Sequence, residues 1–250
     1  MNNQAGKTFS RLFCQDHQDV LQLETAIIDA RPGAVAVARS PFFPGGGGQM
    51  TDRGSLEWTG GSAVVTGIEV DGDHMWHLLD TDAELSGKVQ LNVDPVFRQY
   101  MSELHTVAHI ANAVAYQAFD GALLTGAQLG DKGTLRIDLD LPDANNDQLR
   151  ALESPMNDIV QQDLTVRFVD MTRADAEAEP GLFRSKAVSP PAQDDGLVRV
   201  VEIVGLDRQA CGGTHLTSTG QSRRLRVLKV DNKGRHNRRM KIGFVDETSA

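Results

Sequence analysis

The sequence predicts an α+β protein in which an N-terminal small β-barrel is followed by helices packed on an antiparallel sheet. Short apolar or alternating runs with frequent turns fill residues 8–92, a pattern typical of small barrels. An apolar stripe at helical spacing then predicts one long helix over residues 95–119. Beyond that helix, predicted strands mix with shorter helices, which favours helices lying over an antiparallel sheet.

The barrel strands are predicted where apolar or alternating residues lie between turns rich in glycine, proline and aspartate. The predicted strands are residues 20–28, 34–38, 54–58, 63–70, 75–79 and 87–91. The barrel is expected to end near Val93, because Asp94 is a good helix N-cap and Pro95 a good first helical residue. We therefore expect one domain over residues 1–93 and a second over residues 94–250.

The second domain is predicted to contain a hairpin, two further helices and several strands. The hairpin spans residues 123–141, where two strand-like runs flank a turn containing two glycines. A helix follows over residues 145–163, with Pro155 near a bend or in its first turn. The remaining elements are strands at 166–169, 198–204 and 225–230, a short helix at 173–179, and an edge strand at 241–245.

Composition restricts the class of protein. A chain of 250 residues buries a sizeable core. It has no apolar run approaching the roughly 18 residues of a membrane helix, and residues 1–7 lack the apolar core of a secretory signal. Only Cys14 and Cys211 could form disulfides, so a disulfide framework is not expected. We expect a cytoplasmic protein, monomeric or homodimeric, that does not contact membranes.

Two pairs of residues predict a metal site. His105 and His109 are spaced i and i+4, so both rings project from the same helix face. Thr106 stands where a metalloprotease needs a glutamate, so that activity is not expected. Cys211 and His215 enclose a Gly-Gly turn, and together the two pairs form a nitrogen and sulfur set suited to tetrahedral Zn²⁺. The alternative is a half-buried cysteine in a turn beside an unrelated histidine.

The motifs resemble a known family. The string HTVAH at 105–109 is followed by QACGGTH at 209–215 and by Thr219-Gly220. A glycine-rich string, PGGGGQ at 44–49, precedes Asp52 and Gly54, and VRVVE lies at 198–202. This combination resembles the editing domain of alanyl-tRNA synthetases and its freestanding relatives, the AlaX proteins, in the longer form that carries the glycine-rich motif. The resemblance covers residues 25–245.

The resemblance implies a zinc-dependent hydrolase that deacylates mischarged tRNA(Ala), with seryl-tRNA(Ala) as the main substrate and glycyl-tRNA(Ala) as a second candidate. The length leaves no room for an aminoacylation domain, so action in trans is expected. A site that hydrogen-bonds the serine hydroxyl rejects alanine, because alanine leaves those polar groups unpaired. The candidate catalytic-site residues, which would hydrogen-bond this hydroxyl, are Thr125, Gln128 and Thr214. No carboxylate stands out as a general base, and the zinc could either activate water or only shape the pocket.

Charge distribution predicts where tRNA would bind. The net charge of −9 argues against indiscriminate nucleic-acid binding, so DNA is not expected as a partner. Residues 223–241 nevertheless carry nine arginines and lysines against one acid, Asp231, which favours a local phosphate-binding patch over a merely solvated face. The predicted substrate and tRNA contacts are Gly46, Gly47, Gly48, Gln49, Asp52, Arg235, Arg238 and Arg239.

Two other functions fit the same residues. A non-catalytic, zinc-stabilised tRNA-binding module would keep the metal ligands and the basic stretch but would not hydrolyse esters. A threonyl-type editing domain uses a similar ligand pattern and would act on another mischarged tRNA. The CGGTH string and the glycine-rich motif favour the alanyl type.

Overall fold

The computed structural model describes residues 11–71, 74–184 and 195–245. A short helix, α1 (Phe13–Asp16), precedes a closed barrel of six strands. The strands are β1 (Gln22–Arg31), β2 (Ala34–Val37), β3 (Gly54–Trp58), β4 (Gly61–Asp71), β5 (His74–Leu79) and β6 (Lys88–Val93). Their order around the barrel is β1-β2-β5-β4-β3-β6 and neighbouring strands are antiparallel. The predicted small barrel is confirmed.

Helix α2 (Pro95–Ala118) begins where the sequence predicts. The Asp94 carboxylate accepts hydrogen bonds from the backbone N–H groups of Val96 (2.9 Å) and Phe97 (3.1 Å), and Pro95 occupies the first turn. A capping carboxylate satisfies donors that the first turn leaves unpaired. Most of the helix is buried, so it forms the centre of the second half of the chain.

Two antiparallel sheets complete the second half. The four-stranded sheet has the order β12-β13-β8-β7 and the three-stranded sheet the order β11-β10-β9. Their strands are β7 (Leu123–Leu129), β8 (Thr134–Asp140), β9 (Val166–Thr172), β10 (Leu197–Ile203), β11 (Asp207–Ala210), β12 (Leu225–Lys233) and β13 (Asn237–Phe244). Helix α2 packs against β7 and β8. The predicted α+β class is confirmed, although β11 was not predicted.

The helix predicted over residues 145–163 is two helices. They are α3 (Asn146–Arg150) and α4 (Glu153–Gln162), and α5 (Arg173–Ala178) follows later in the chain. Pro155 lies in the first turn of α4, as predicted. A proline lacks the N–H that would bond the carbonyl four residues earlier, and its ring collides with that carbonyl. The helix therefore breaks at residues 151–152.

The edge strand predicted at 241–245 is also corrected. Strand β13 begins at Asn237 and lies between β12 and β8, inside the sheet. Its Met240 and Ile242 are fully buried, whereas Lys241 between them is exposed and the preceding Arg238 and Arg239 are also charged. This two-residue alternation fits a sheet with only one covered face, and the charged positions concealed the strand in the sequence.

The predicted domain division remains a proposal. All six barrel strands lie before residue 94, and α2 with both sheets lies after it. Residues 11–18, however, contact the second half of the chain, as described below. No helix among the described residues is long and apolar enough to cross a membrane.

Candidate metal centre

The structure brings together the four residues predicted to bind metal. His105 and His109 project from α2, while Cys211 and His215 lie in the loop that follows β11. Their potential ligand atoms all lie within 4.8 Å of one another. Cys211 Sγ is 3.4 Å from His105 Nε2 and 3.5 Å from His215 Nε2. The three histidines are buried and Cys211 is half-buried.

These distances fit a tetrahedral zinc ion. With Zn–N near 2.0–2.1 Å and Zn–S near 2.3 Å, tetrahedral angles place nitrogen and sulfur about 3.6 Å apart. The two measured Sγ–Nε2 distances are close to that value. Three imidazoles and one thiolate are also ligands that zinc prefers. The chemistry and the spacing of the donors therefore fit zinc.

The electrostatics of the cluster favour the metal-binding forms of its side chains. The pKa of the Cys211 thiol lies well below its ordinary value: burial alone would raise it, but His105 and His109 outweigh burial through their charge and hydrogen bonds. The pKa of His215 is also lowered well below its ordinary value, by burial first and then by the charge of His105. A thiolate and a neutral imidazole are the protonation states that bind metal.

The glycine-rich loop of the barrel orients His105 through Gln49. Gln49 Oε1 accepts hydrogen bonds from His105 Nδ1 (2.8 Å) and from the Thr214 backbone N–H (3.1 Å). Gln49 Nε2 donates to Thr214 Oγ1 (2.9 Å). Because Nδ1 carries the donated proton, Nε2 of His105 is left as the ligand atom that faces Cys211.

Thr106 orients His215 in the same way. Its hydroxyl donates to the Ser102 carbonyl (2.9 Å) and accepts from the Leu216 backbone N–H (3.0 Å). It also lies 3.3 Å from His215 Nδ1, which donates to it and leaves Nε2 toward Cys211. In the sequence, Thr106 served only to exclude a metalloprotease, which needs a glutamate at that position. The structure gives it a positioning role that the sequence did not suggest.

Glycines allow the backbone to approach the cluster closely. A Cβ at Gly213 would lie 2.1 Å from His105 Cε1 and 2.8 Å from Gln49 Oε1. Gly48 has a φ of +91°, and a Cβ there would lie 2.6 Å from the Ala127 carbonyl oxygen. Its own carbonyl accepts a hydrogen bond from the Leu129 N–H (2.9 Å). Side chains at these two glycines would separate the loops from the helix and sheet that they contact.

Three residues that the sequence did not single out hold the 211–215 loop. Gln15 Nε2 donates to the Gly212 carbonyl (2.9 Å), and Gln18 Oε1 accepts from the His215 N–H (2.9 Å). Arg199 Nη1 donates to the carbonyls of Cys211 (2.9 Å) and Gly213 (3.0 Å). An arginine within the apolar run at 198–201 could have indicated a buried charge with a structural role. Nothing in the sequence around the two glutamines indicates that they contact this loop.

Arg199 is a buried cation, only 4% exposed, that contacts backbone carbonyls and an aromatic ring. Its guanidinium lies 3.8 Å from the centroid of the Phe168 ring, and burial lowers its pKa to about 10. The residue remains charged at neutral pH, since that pKa is well above 7. A buried positive charge beside the loop therefore also favours the thiolate of Cys211.

Comparison with known proteins shows the family of this chain. A family model described as "Threonyl and Alanyl tRNA synthetase second additional domain" matches residues 198–241. The alanyl-tRNA editing protein AlaX-M of Saccharolobus solfataricus is 30% identical over 225 residues, which cover 88% of this chain and 93% of that protein. AlaX-M of Methanosarcina barkeri is 33% identical over 221 residues, covering 85% and 89%. The chain belongs to the AlaX-M family. The resemblance predicted from the motifs is confirmed.

The AlaX-M family also shares sequence with larger enzymes. The alanine–tRNA ligase of Korarchaeum cryptofilum is 32% identical over 224 residues, which are 88% of this chain but 24% of the ligase. The chain thus spans about a quarter of that ligase and most of the AlaX-M proteins.

The three residues predicted to recognise the serine hydroxyl differ in their surroundings. Thr214 is fully buried, and its hydroxyl accepts from Ser102 Oγ (2.8 Å) as well as from Gln49. Thr125 Oγ1 is shared between the Asp138 carbonyl (3.1 Å) and Asn237 Oδ1 (3.2 Å), which ties it to β8 and β13. Gln128 is exposed on the edge strand β7. Their predicted role in recognition stays a prediction.

Two residues of the predicted tRNA contacts are turned inward. Asp52 is 2% exposed and forms an ion pair with Arg98, so its carboxylate is directed into the protein, and its predicted contact with tRNA stays a prediction. Gln49 is 4% exposed because it bonds His105 and Thr214. Gly46 and Gly47 differ, since a Cβ on either would meet nothing within 4 Å. That tip of the loop is open to an incoming molecule.

The three predicted arginines also differ. Arg238 donates to the carbonyls of Ala144 (2.8 Å) and Pro142 (2.6 Å). Arg239 forms two hydrogen bonds with the Asp138 carboxylate, at 2.7 and 2.8 Å. Arg235 is exposed in the turn between β12 and β13. Their predicted contact with tRNA remains untested, but two of the three already have partners within the protein.

Replacing Gln49 by leucine is expected to weaken zinc affinity by about 10- to 100-fold, a typical effect of losing the partner that orients a histidine ligand. The reason is that His105 loses the acceptor for its Nδ1 proton and can rotate or change tautomer. Affinity would be measured by competition with a chromophoric chelator. Gln90→Leu, a matched change on β6 of the barrel, should leave it unchanged. Equal affinities in wild type and Gln49→Leu would contradict the positioning role.

Proposed function

We propose that this chain is an aminoacyl-tRNA hydrolase that deacylates mischarged tRNA(Ala), with seryl-tRNA(Ala) as the main substrate and glycyl-tRNA(Ala) as the second. The observation that carries the proposal is the four-residue nitrogen and sulfur cluster in a member of the AlaX-M family. Relatives named alanyl-tRNA editing proteins match over most of their length. We also propose that the activity is exerted in trans and without aminoacylation.

The proposed reaction is hydrolysis of one ester bond. Water adds to the carbonyl carbon that joins the amino acid to the terminal ribose of the tRNA. The bond from that carbon to the ribose oxygen then breaks, and a proton passes to the ribose oxygen. The products are the free amino acid and uncharged tRNA. A bound zinc ion would supply positive charge that favours ionisation of water or polarises the carbonyl oxygen.

The chain's own residues supply rigidity at this site. His105, His109, Cys211 and His215 would hold the ion, and Gln49 and Thr106 fix two of the imidazoles. None of the hydrogen bonds to these four side chains in the described chain comes from a carboxylate. This supports a site that orients water and ester, as opposed to one built around a carboxylate base.

Selectivity in this proposal comes from recognition of a hydroxyl. A pocket for a small side chain discriminates weakly by size, whereas one that bonds a hydroxyl leaves polar groups unpaired when alanine binds. Gln128 is exposed, and the open glycine tip at Gly46 and Gly47 offers backbone groups that could bond such a hydroxyl.

We propose the cytoplasm as the compartment, because a reducing environment keeps the Cys211 thiol free to bind metal.

The test is deacylation of seryl-, glycyl- and alanyl-tRNA(Ala), side by side, by the purified zinc-loaded protein. We expect hydrolysis of the seryl ester and sparing of the alanyl ester by at least about tenfold, the effect of one unpaired hydrogen bond. Equal hydrolysis of the seryl and alanyl esters would contradict the proposed selectivity. Binding of tRNA with no hydrolysis of any ester would favour the non-catalytic binding module instead.

A further inference from the structure

The outer face of the four-stranded sheet carries a row of cations that the proposed chemistry does not use. Lys229 of β12 lies directly opposite Lys241 of β13, and Lys241 lies directly opposite Arg136 of β8. Gln128 of the edge strand β7 continues the row opposite Arg136. We call Lys229, Lys241 and Arg136 the cationic row.

The cationic row faces away from the protein core. Lys241 lies between Met240 and Ile242, which are fully buried against the opposite face. Arg136 lies likewise between the buried Leu135 and Ile137. Alternate residues of a strand point to opposite faces, so both cations point outward. The Lys229 side chain is 66% exposed and that of Arg136 is 37% exposed.

The neighbouring acids do not neutralise this row fully. Asp231 lies 3.0 Å from Lys229, and Asp138 lies 3.6 Å from Arg136. Both acids also flank Arg239 across the sheet, and Asp138 is already bonded by Arg239 through both of its oxygens. Asp231, Arg239 and Asp138 thus form a second row beside the cationic row. Together the two rows hold four cations and two carboxylates, on a chain whose net charge is −9.

Like charges placed directly opposite one another destabilise a sheet. Strands lie about 4.8 Å apart, so the three cations repel one another unless an anion covers them. A polyanion offsets this repulsion and releases its own counterions when it binds. The side chains are long and flexible, which lets each reach a separate phosphate.

The row also leads toward the metal centre. It ends at Gln128, and both sequence neighbours of Gln128 contact Gly48 of the glycine-rich loop. The Leu129 N–H donates to the Gly48 carbonyl. Ala127 lies so close that a Cβ on Gly48 would collide with its carbonyl group. The next residue, Gln49, bonds the metal ligand His105. A nucleic acid lying along the row is thus directed to the glycine-rich loop.

From this geometry we infer that the cationic row binds the phosphate backbone of the tRNA whose ester the metal centre cleaves. The inference rests on the proposed function for the identity of the RNA. Within the basic stretch predicted at 223–241, it selects different residues. Arg238 and Arg239 are held by protein groups, whereas Lys241 projects from the face and Lys229 stays 66% exposed beside Asp231.

The test compares wild type with the double variant Lys229→Gln, Lys241→Gln in binding uncharged tRNA(Ala), by fluorescence anisotropy over a range of salt concentrations. We expect affinity at physiological ionic strength to fall about tenfold. The slope of log affinity against log salt should become shallower by about 2, since each lost phosphate contact contributes roughly 0.9. Zinc content should match that of the wild type.

The matched control is Arg31→Gln, Lys88→Gln, which removes two exposed charges from the barrel. It should change neither affinity nor slope. Wild-type affinity and slope in the row variant, or equal weakening in the control, would overturn the inference while leaving the hydrolase proposal intact. If the row variant weakens binding as expected but the wild type cleaves no ester, the cationic row is still a tRNA phosphate-binding surface and only the hydrolase proposal fails.

Discussion

Replacing Cys211 by alanine is expected to reduce zinc from about one ion per chain to nearly none and to abolish ester hydrolysis. The thiolate is one of four ligands, and its sulfur lies 3.4 and 3.5 Å from two of the imidazole nitrogens. Without it, three neutral imidazoles remain and the negative charge that offsets the ion is lost. Elemental analysis after dialysis against a weak chelator would measure the zinc content.

Cys14 provides a matched control for this change. It is fully buried, its neighbour Gln15 bonds Gly212 of the same loop, and burial raises the pKa of its thiol to about 12. At neutral pH it is therefore a thiol in the absence of metal, and it lies outside the four-residue cluster. Cys14→Ala should retain zinc. Full retention in Cys211→Ala, or wild-type protein that carries no zinc after careful purification, would refute the assignment of the metal centre.

Replacing Asp52 by alanine is expected to lower the free energy of unfolding by about 3–5 kcal/mol, the usual cost of leaving a buried charge unpaired. Asp52 is 2% exposed and Arg98 4% exposed. The Asp52 carboxylate accepts from Arg98 Nε at 3.0 and 3.1 Å and from the Phe43 N–H at 2.6 Å. Arg98 also donates to the Pro41 carbonyl (2.6 Å), so the pair joins α2 to the barrel.

Urea denaturation of the zinc-loaded variant would give the change in unfolding free energy. The control is Glu24→Ala, which removes the partner of the exposed Lys88 on the barrel surface. Exposed pairs contribute little to stability, so this variant should unfold almost like the wild type. A stable Asp52→Ala protein that binds tRNA poorly would instead support the tRNA contact predicted from the sequence.

The sequence by itself determined the features that depend on local pattern. The start of α2 follows from Asp94 and Pro95, whose capping roles need only neighbouring residues. The effect of Pro155 has the same local origin, although the sequence predicted one helix with a bend or first turn at Pro155 and not two helices. The two metal pairs could be recognised because each pair is held by one short segment, a helical turn at 105–109 and a glycine turn at 211–215.

Only the tertiary structure decided which distant groups meet. Gln49 bonds His105 from 56 residues away, and Gln18 bonds His215 from 197 residues away. The sequence suggested that Gln49 contacts tRNA, because a glutamine beside glycines can equally face a ligand or a protein group. The cationic row likewise depends on the register of β8, β12 and β13. Partners so far apart are set by strand order and loop closure, which local propensity and residue type do not encode.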